Sequence, residues 1–138
     1  MKPIEGEAPM LDKIEIFRLA HAMASHAGTR QAVVAQNIAN ADTPGYVPRD
    51  VTPFQDLVKD TDGGFSGRAT RVGHLHGTRE IANPAIFDRE TGAFNPNDNG
   101  VILGEEMLKA VEVKRQHDKA MAIYRSGMNI LRASLGKQ

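Results

Sequence analysis

Residues 101–138 read V-I-L-G-E-E-M-L-K-A-V-E-V-K-R-Q-H-D-K-A-M-A-I-Y-R-S-G-M-N-I-L-R-A-S-L-G-K-Q, and their spacing decides the fold. Leu103, Ala110, His117, Tyr124 and Leu131 recur every seven residues, interleaved with Met107, Lys114, Met121, Met128 and Leu135. Such a repeat, unbroken by proline over roughly thirty residues, predicts a helix about 45 Å long with a seam for a partner helix. Gly104 reads as its N-cap, Glu105 and Glu106 place negative charge in the first turn, and Leu103 and Leu108 are spaced for a hydrophobic staple. Lys114 and His117 are the polar seam positions, there either to set register or to snorkel to the surface. The methionines read as gap-filling seam residues. Leu108, Ile123 and Ile130 project to roughly the opposite side, where a two-helix pair would leave them wet. They are expected to make outer contacts with helices of neighbouring copies.

A second stripe runs from Leu11 to Ala41: Phe17, Ala24, Gln31 and Ile38, with Ala20, Ala27, Val34 and Ala41 three residues after each. Small residues dominate it, so a partner helix approaches closely but little apolar area is buried per turn. Arg18, Ser25, Thr29, Gln36 and Asn40 gather on the polar side. Between the two stripes, residues 42–100 hold eight glycines and five prolines, and no helical period survives. Val51 to Phe54 and Gly73 to Thr78 are the candidate strands there.

The expected fold is therefore mainly α, a single domain over residues 1–138 with an N-terminal extension (1–10), an N-terminal helix (11–41), an extended insert (42–100) and a C-terminal helix (101–138). The long helices are expected to pack as an antiparallel coiled-coil-like pair, joined by an irregular Gly/Pro-rich insert with short β segments.

Composition narrows the function. Among 138 residues, 17 Lys and Arg balance 17 Asp and Glu, so no global field draws nucleic acid or an anionic membrane. Aromatics are 5% and tryptophan is absent, which predicts a thin aliphatic core. Without cysteine there is no disulfide and no thiolate metal site. No apolar run approaches membrane-spanning length, and the opening M-K-P-I-E-G-E-A-P-M-L-D-K lacks the apolar stretch and small-residue cleavage site of a secretory signal.

The junction between first helix and insert, Q-N-I-A-N-A-D-T-P-G-Y-V-P-R-D over residues 36–50, is a stop signal with extra content. Asn40 tolerates the left-handed C-cap, Thr43 is held extended by the proline after it, and Pro44-Gly45 suits the centre of a type II turn. Tyr46 then sits at a fixed offset from the helix end, its ring on an apolar surface and its hydroxyl seeking a polar partner. A buried asparagine without partners costs about 1–3 kcal/mol, so Asn37 and Asn40 need hydrogen bonds supplied. The expectation is an assembly motif of Asn37, Ile38, Asn40, Thr43, Pro44, Gly45 and Tyr46 that fixes this junction at a subunit contact.

Asn37 to Tyr46, N-I-A-N-A-D-T-P-G-Y, resembles the N-terminal signature of the bacterial flagellar axial proteins of rod, hook and hook-associated structures. The short length, without a large inserted domain, is similar to the proximal-rod members. Arg49-Asp50 with Phe54, Thr70 to Leu75, and Asn97 to Val101 followed by Glu105-Glu106-Met107 resemble further stretches of that family. Pro48 and Gly104 depart from its pattern. The resemblance implies a structural subunit of the basal-body proximal rod that polymerises through its terminal helices, transmits torque and continues the export channel. It also implies contacts with other rod proteins, the rod-adaptor protein FliE, the membrane-supramembrane (MS) ring and the export gate. The place so implied is the periplasmic rod, reached by flagellar type III export without a cleaved signal peptide.

The remaining motifs carry less. His74 and His76 would share one strand face, but no third metal ligand is evident, and a surface or interface pair is the plainer reading. Gly63 to Arg68 lacks the Gly-Lys-Ser/Thr ending of a phosphate loop and reads as a flexible tip. No nucleophile, base and orienting group assemble, so no enzyme, cofactor or metal is expected. The competing reading is a helical adaptor or export-associated chaperone forming a small oligomer.

Overall fold

The computed structural model describes residues 8–61, 81, 83–90 and 99–136. Its elements in chain order are α1 (Ala8–Ala39), β1 (Arg49–Val51), α2 (Phe54–Thr61), β2 (Ile86–Asp88) and α3 (Leu103–Leu135). The chain is mainly helical, and its two long helices pack against each other.

Three contacts fix how they meet. Asn37 bonds Glu106, His26 lies against Gln116, and Phe17 sits against Tyr124 and Gly127. Residue numbers thus fall along α1 as they rise along α3. The core is small and aliphatic, drawn from Ala20, Ala27, Val33 and Val34 of α1, Val113 and Ala120 of α3, and Val51, Leu57 and Val101 between them. Burying valine fully contributes about 1.5–3 kcal/mol and alanine less, so this core stabilises modestly and leaves weight on polar contacts.

On α1 the residues Ala20, Ala27 and Val34 are buried as their spacing predicts, with Phe17, Ala24 and Ile38 half-buried and Gln31 exposed. On α3 the seam is one residue away from the predicted one. Its buried positions are Glu106, Val113 and Ala120, whereas Leu103, Met107, Tyr124 and Leu135 are exposed and Ala110, Met121, Met128 and Leu131 only half-buried. One residue rotates a helix face by about 100°. Lys114 and His117 turn outward with it, and the Lys114 side chain, 76% exposed, bridges to Asp118 instead of entering the seam. The reason is chemical: methionine and leucine outrank glutamate and alanine in any local hydropathy pattern, but Glu106 is buried because distant residues pair it. Leu108 and Ile130 face outward, while Ile123 is half-buried.

Helix α3 begins on Ile102 without a side-chain cap, so Gly104 lies inside the first turn. Leu103 and Leu108 are too exposed to form the expected staple.

In the insert, β1 and β2 pair antiparallel with Arg49 opposite Asp88 and Val51 opposite Ile86. Thr52 N–H donating to Ala85 O and Arg89 N–H to Pro48 O extend the ladder at both ends. Val51 closes a strand that began at Arg49. Phe54 opens α2, where Pro53 accepts from the Asp56 and Leu57 N–H groups. The candidate strand at Gly73 to Thr78, His74 and His76, and the glycine-rich stretch Gly63 to Arg68 lie outside the described residues.

Candidate assembly junction

Helix α1 ends in a sequence of turns that its own side chains close. The Asn40 N–H is shared between Gln36 O at 3.1 Å and Asn37 O at 3.2 Å, and Asn40 Nδ2 donates to Gln36 O at 2.8 Å. Asn40 caps with its side chain, and Thr43 Oγ1 donates to Asn40 Oδ1 at 3.2 Å. Tyr46 N–H then reaches back to Thr43 O at 3.3 Å across Pro44-Gly45. Gly45 has φ +70°, the value a type II turn needs at its second central residue and one that a Cβ disfavours.

One turn back, Asn37 is 1% exposed and fills its amide completely. Nδ2 donates to Arg49 O at 2.8 Å and to Glu106 Oε2 at 3.0 Å. Oδ1 accepts from Arg49 N–H at 3.0 Å and from the Tyr46 hydroxyl at 3.1 Å. Two donors and two acceptors are all that an asparagine side chain offers. The polar partner expected for Tyr46 is therefore Asn37, and α1, the turn, β1 and α3 are tied at one point.

Glu106 is the other half of this hub and is wholly buried. Its Oε1 lies 2.8 Å from Arg89 Nη2 and 3.6 Å from Lys109 Nζ, ion-pair contacts without the alignment of a hydrogen bond. Lys109 continues to Asp50 Oδ2 at 3.2 Å, and Asp50 Oδ1 to Arg30 Nε at 3.8 Å. Charges thus alternate across α1, β1, α3 and the residue after β2. Their side chains other than Glu106 are about one-fifth exposed, which keeps the desolvation cost of the cluster low.

Two further anchors flank the hub. Asn99, 3% exposed, donates from Nδ2 to the carbonyls of Asn40 at 3.0 Å and Thr43 at 2.9 Å, and also to that of Ala41. Its Oδ1 accepts from Val101 N–H at 2.8 Å, so the carbonyls at the end of α1 are taken up by the approach to α3. His26, also 3% exposed, faces Thr52 O from Nε2 at 2.7 Å and Gln116 Nε2 from Nδ1 at 3.4 Å, with Phe54 beside its ring. The arrangement assigns the proton to Nε2 and leaves Nδ1 to accept.

Of the motif residues, Asn37 and Tyr46 converge in the hub, Asn40 and Thr43 form the cap, Pro44 and Gly45 stand exposed in the turn, and Ile38 is half-buried. All four hydrogen-bonding positions of Asn37 are met within the chain. The sequence reading missed Glu106, Asn99, His26, Asp50, Arg89 and Lys109 as parts of the site. The available signal was the pairing requirement: a buried seam flanked by polar residues on both helices needs donors matched to acceptors. Among the described residues no group of three His, Cys, Asp or Glu could hold a metal ion, and no helix is long and apolar enough to cross a membrane.

Residues 24–46, the second half of α1 and its turn, match the model of the flagella basal body rod protein family. The flagellar basal body rod protein FlgB of Agrobacterium fabrum is 34% identical over 119 residues, covering 84% of this chain and 89% of that protein. FlgB of Bacillus subtilis is 28% identical over 88 residues, 64% of this chain and 67% of its own. FlgB of Salmonella typhimurium is 32% identical over 84 residues, 56% of this chain and 60% of its own. With a relative so alike over most of both chains and the family pattern covering the Asn37 to Tyr46 side of the hub, the chain belongs to the flagellar basal body rod protein FlgB family.

Proposed function

We propose that this FlgB-family rod subunit builds the proximal rod by packing its terminal helices, as an antiparallel coiled-coil-like pair, against those of neighbouring copies and of other rod proteins. In this reading the assembled helices continue the export channel and carry torque. FliE, the MS ring and the export gate are the neighbours at the base, the location is the periplasmic rod, and the route is type III export without a cleaved signal. The chain has no catalytic role, cofactor or metal in this reading.

The observation that carries the proposal is the exposed apolar surface of α3. Met107, Leu108 and Val111 are 58%, 64% and 56% exposed on the side of the helix away from α1, and Ile130, beside the seam toward its C-terminal end, is 51% exposed. A rod subunit gives such a surface a use, because contact between different patches on identical copies propagates into an open helical assembly. The polar hub, closed within the chain, holds the helices in shape for it.

Cells lacking the gene, complemented with the intact chain or with Leu108→Asp/Ile130→Asp, test the proposal. The expected result is non-motile cells whose basal bodies stop at the membrane ring, rescued by the intact chain and not by the variant, although the purified variant keeps its helical signal. Normal rods in the absence of the gene, or full rescue by the variant, would remove the proposal and favour an adaptor or chaperone binding through residues 42–100.

A further inference from the structure

We propose that the buried Asn37–Glu106 pair is the register key of the two long helices, the contact that selects one axial alignment from several of similar apolar burial. This rests on the paired-helix arrangement and not on the rod assignment.

The apolar seam by itself does not choose. Ala20, Ala27 and Val34 on α1, and Val113 and Ala120 on α3, are small residues spaced by seven. Sliding one helix by seven residues sets alanine or valine over alanine or valine again, a displacement of about 10 Å at 1.5 Å per residue with little change in apolar contact. The polar marks change completely. In one direction Asn37 comes opposite Val113, and Glu106 passes beyond the end of α1 at Ala39. In the other direction Glu106 meets Arg30, but Asn37 passes the start of α3 at Leu103. Each slip strips Asn37 of its α3 partner and pulls Glu106 away from Arg89.

Other contacts mark the alignment from outside the seam or more weakly. Asn99 ties the approach to α3 to the carbonyls at the end of α1, Lys109 reaches Asp50 from a position one-fifth exposed, the His26–Gln116 approach is long at 3.4 Å, and Phe17 is only half-buried against Gly127. The role that spacing assigns to Lys114 and His117 therefore falls to Glu106. A polar residue at one seam position commonly fixes register at some cost in stability. Asn37 and Glu106 also hold Arg49 and Arg89, so aligning the helices sets the root of the insert in the same step.

The chain has no cysteine, so spin labels placed at Ala35→Cys and Ser126→Cys, both exposed and far apart along the pair, report the alignment directly. Labelled protein diluted in unlabelled protein confines the reading to intrachain distances. The parent is expected to give one narrow distance. Asn37→Leu/Glu106→Met is expected to keep its helical signal and show a second population displaced by about 10 Å. A single unchanged distance in the helical double variant would overturn the proposal. Should that variant lose its helices, the parent decides: Asn37 side-chain amide protons are expected to exchange about a hundredfold more slowly than those of exposed Asn129, and equal rates overturn the proposal.

Discussion

Asn37 and Glu106 stand 69 residues apart in the chain and 3.0 Å apart in space. Each is buried, and each needs the other because neither the amide nor the carboxylate reaches water. Their contact joins the two ends of the sequence, while Arg49 and Arg89 bring both limbs of the insert to the same point.

Removing the Glu106 carboxylate should be strongly destabilising. Glu106→Ala takes away the counter-charge of Arg89 and an acceptor of Asn37, and breaking a buried charged pair typically costs roughly 3–5 kcal/mol. Denaturant unfolding should show the midpoint falling with the slope unchanged. An unaltered midpoint would mean that the carboxylate contributes nothing net to the fold.

Asn99 makes a narrower prediction. Its amide serves carbonyls of Asn40, Ala41 and Thr43, and Asn99→Asp would point a carboxylate oxygen at them in place of a donor. The loss should exceed that of Asn99→Ala, for which unsatisfied buried groups predict about 1–3 kcal/mol. Equal stability of the two variants, read by thermal unfolding at neutral pH, would count against this.

His26 anchors the start of α2 from the side of α1. His26→Ala leaves Thr52 O without its side-chain donor and opens the face under Phe54. Hydrogen exchange should therefore quicken around Thr52 to Leu57 before it does along the middle of α3. Uniform loss of protection would instead make His26 part of the global core.

Much of this architecture was legible and some was not, for physical reasons. The stripe Ala20, Ala27, Val34 was visible because a close helix contact requires small residues at sevens. The α3 stripe was read one position late because Met107 and Met121 look like seam residues until Glu106 is known to have partners. The turn at Pro44-Gly45 could be read because proline and a positive-φ glycine constrain backbone locally. Phe54, Leu57 and Val58 after Pro53 carried the i, i+3, i+4 pattern of a short helix, but a single turn barely rises above chance. The hub stayed hidden because its members lie in five separate stretches, and nothing in a local window says which donor meets which acceptor.

Gly127 offers the last test, and it separates helix propensity from packing. A Cβ on Gly127 would come within 2.8 Å of Phe17 Cζ and 2.9 Å of Cε1. Alanine in a helix interior gains about 1 kcal/mol over glycine, so Gly127→Ala should stabilise the chain if space alone were free. The ring must instead turn away, loosening its edge-on contact with Tyr124, whose centroid lies 5.3 Å off. Such aromatic contacts contribute about 0.5–1.5 kcal/mol, comparable to the gain. Gly127→Ala is therefore expected to be close to neutral in the parent and stabilising by about 1 kcal/mol in a Phe17→Ala background. A double-mutant cycle with no coupling between the two positions would show that the Phe17 ring moves without cost and that this end of the pair is not closely packed.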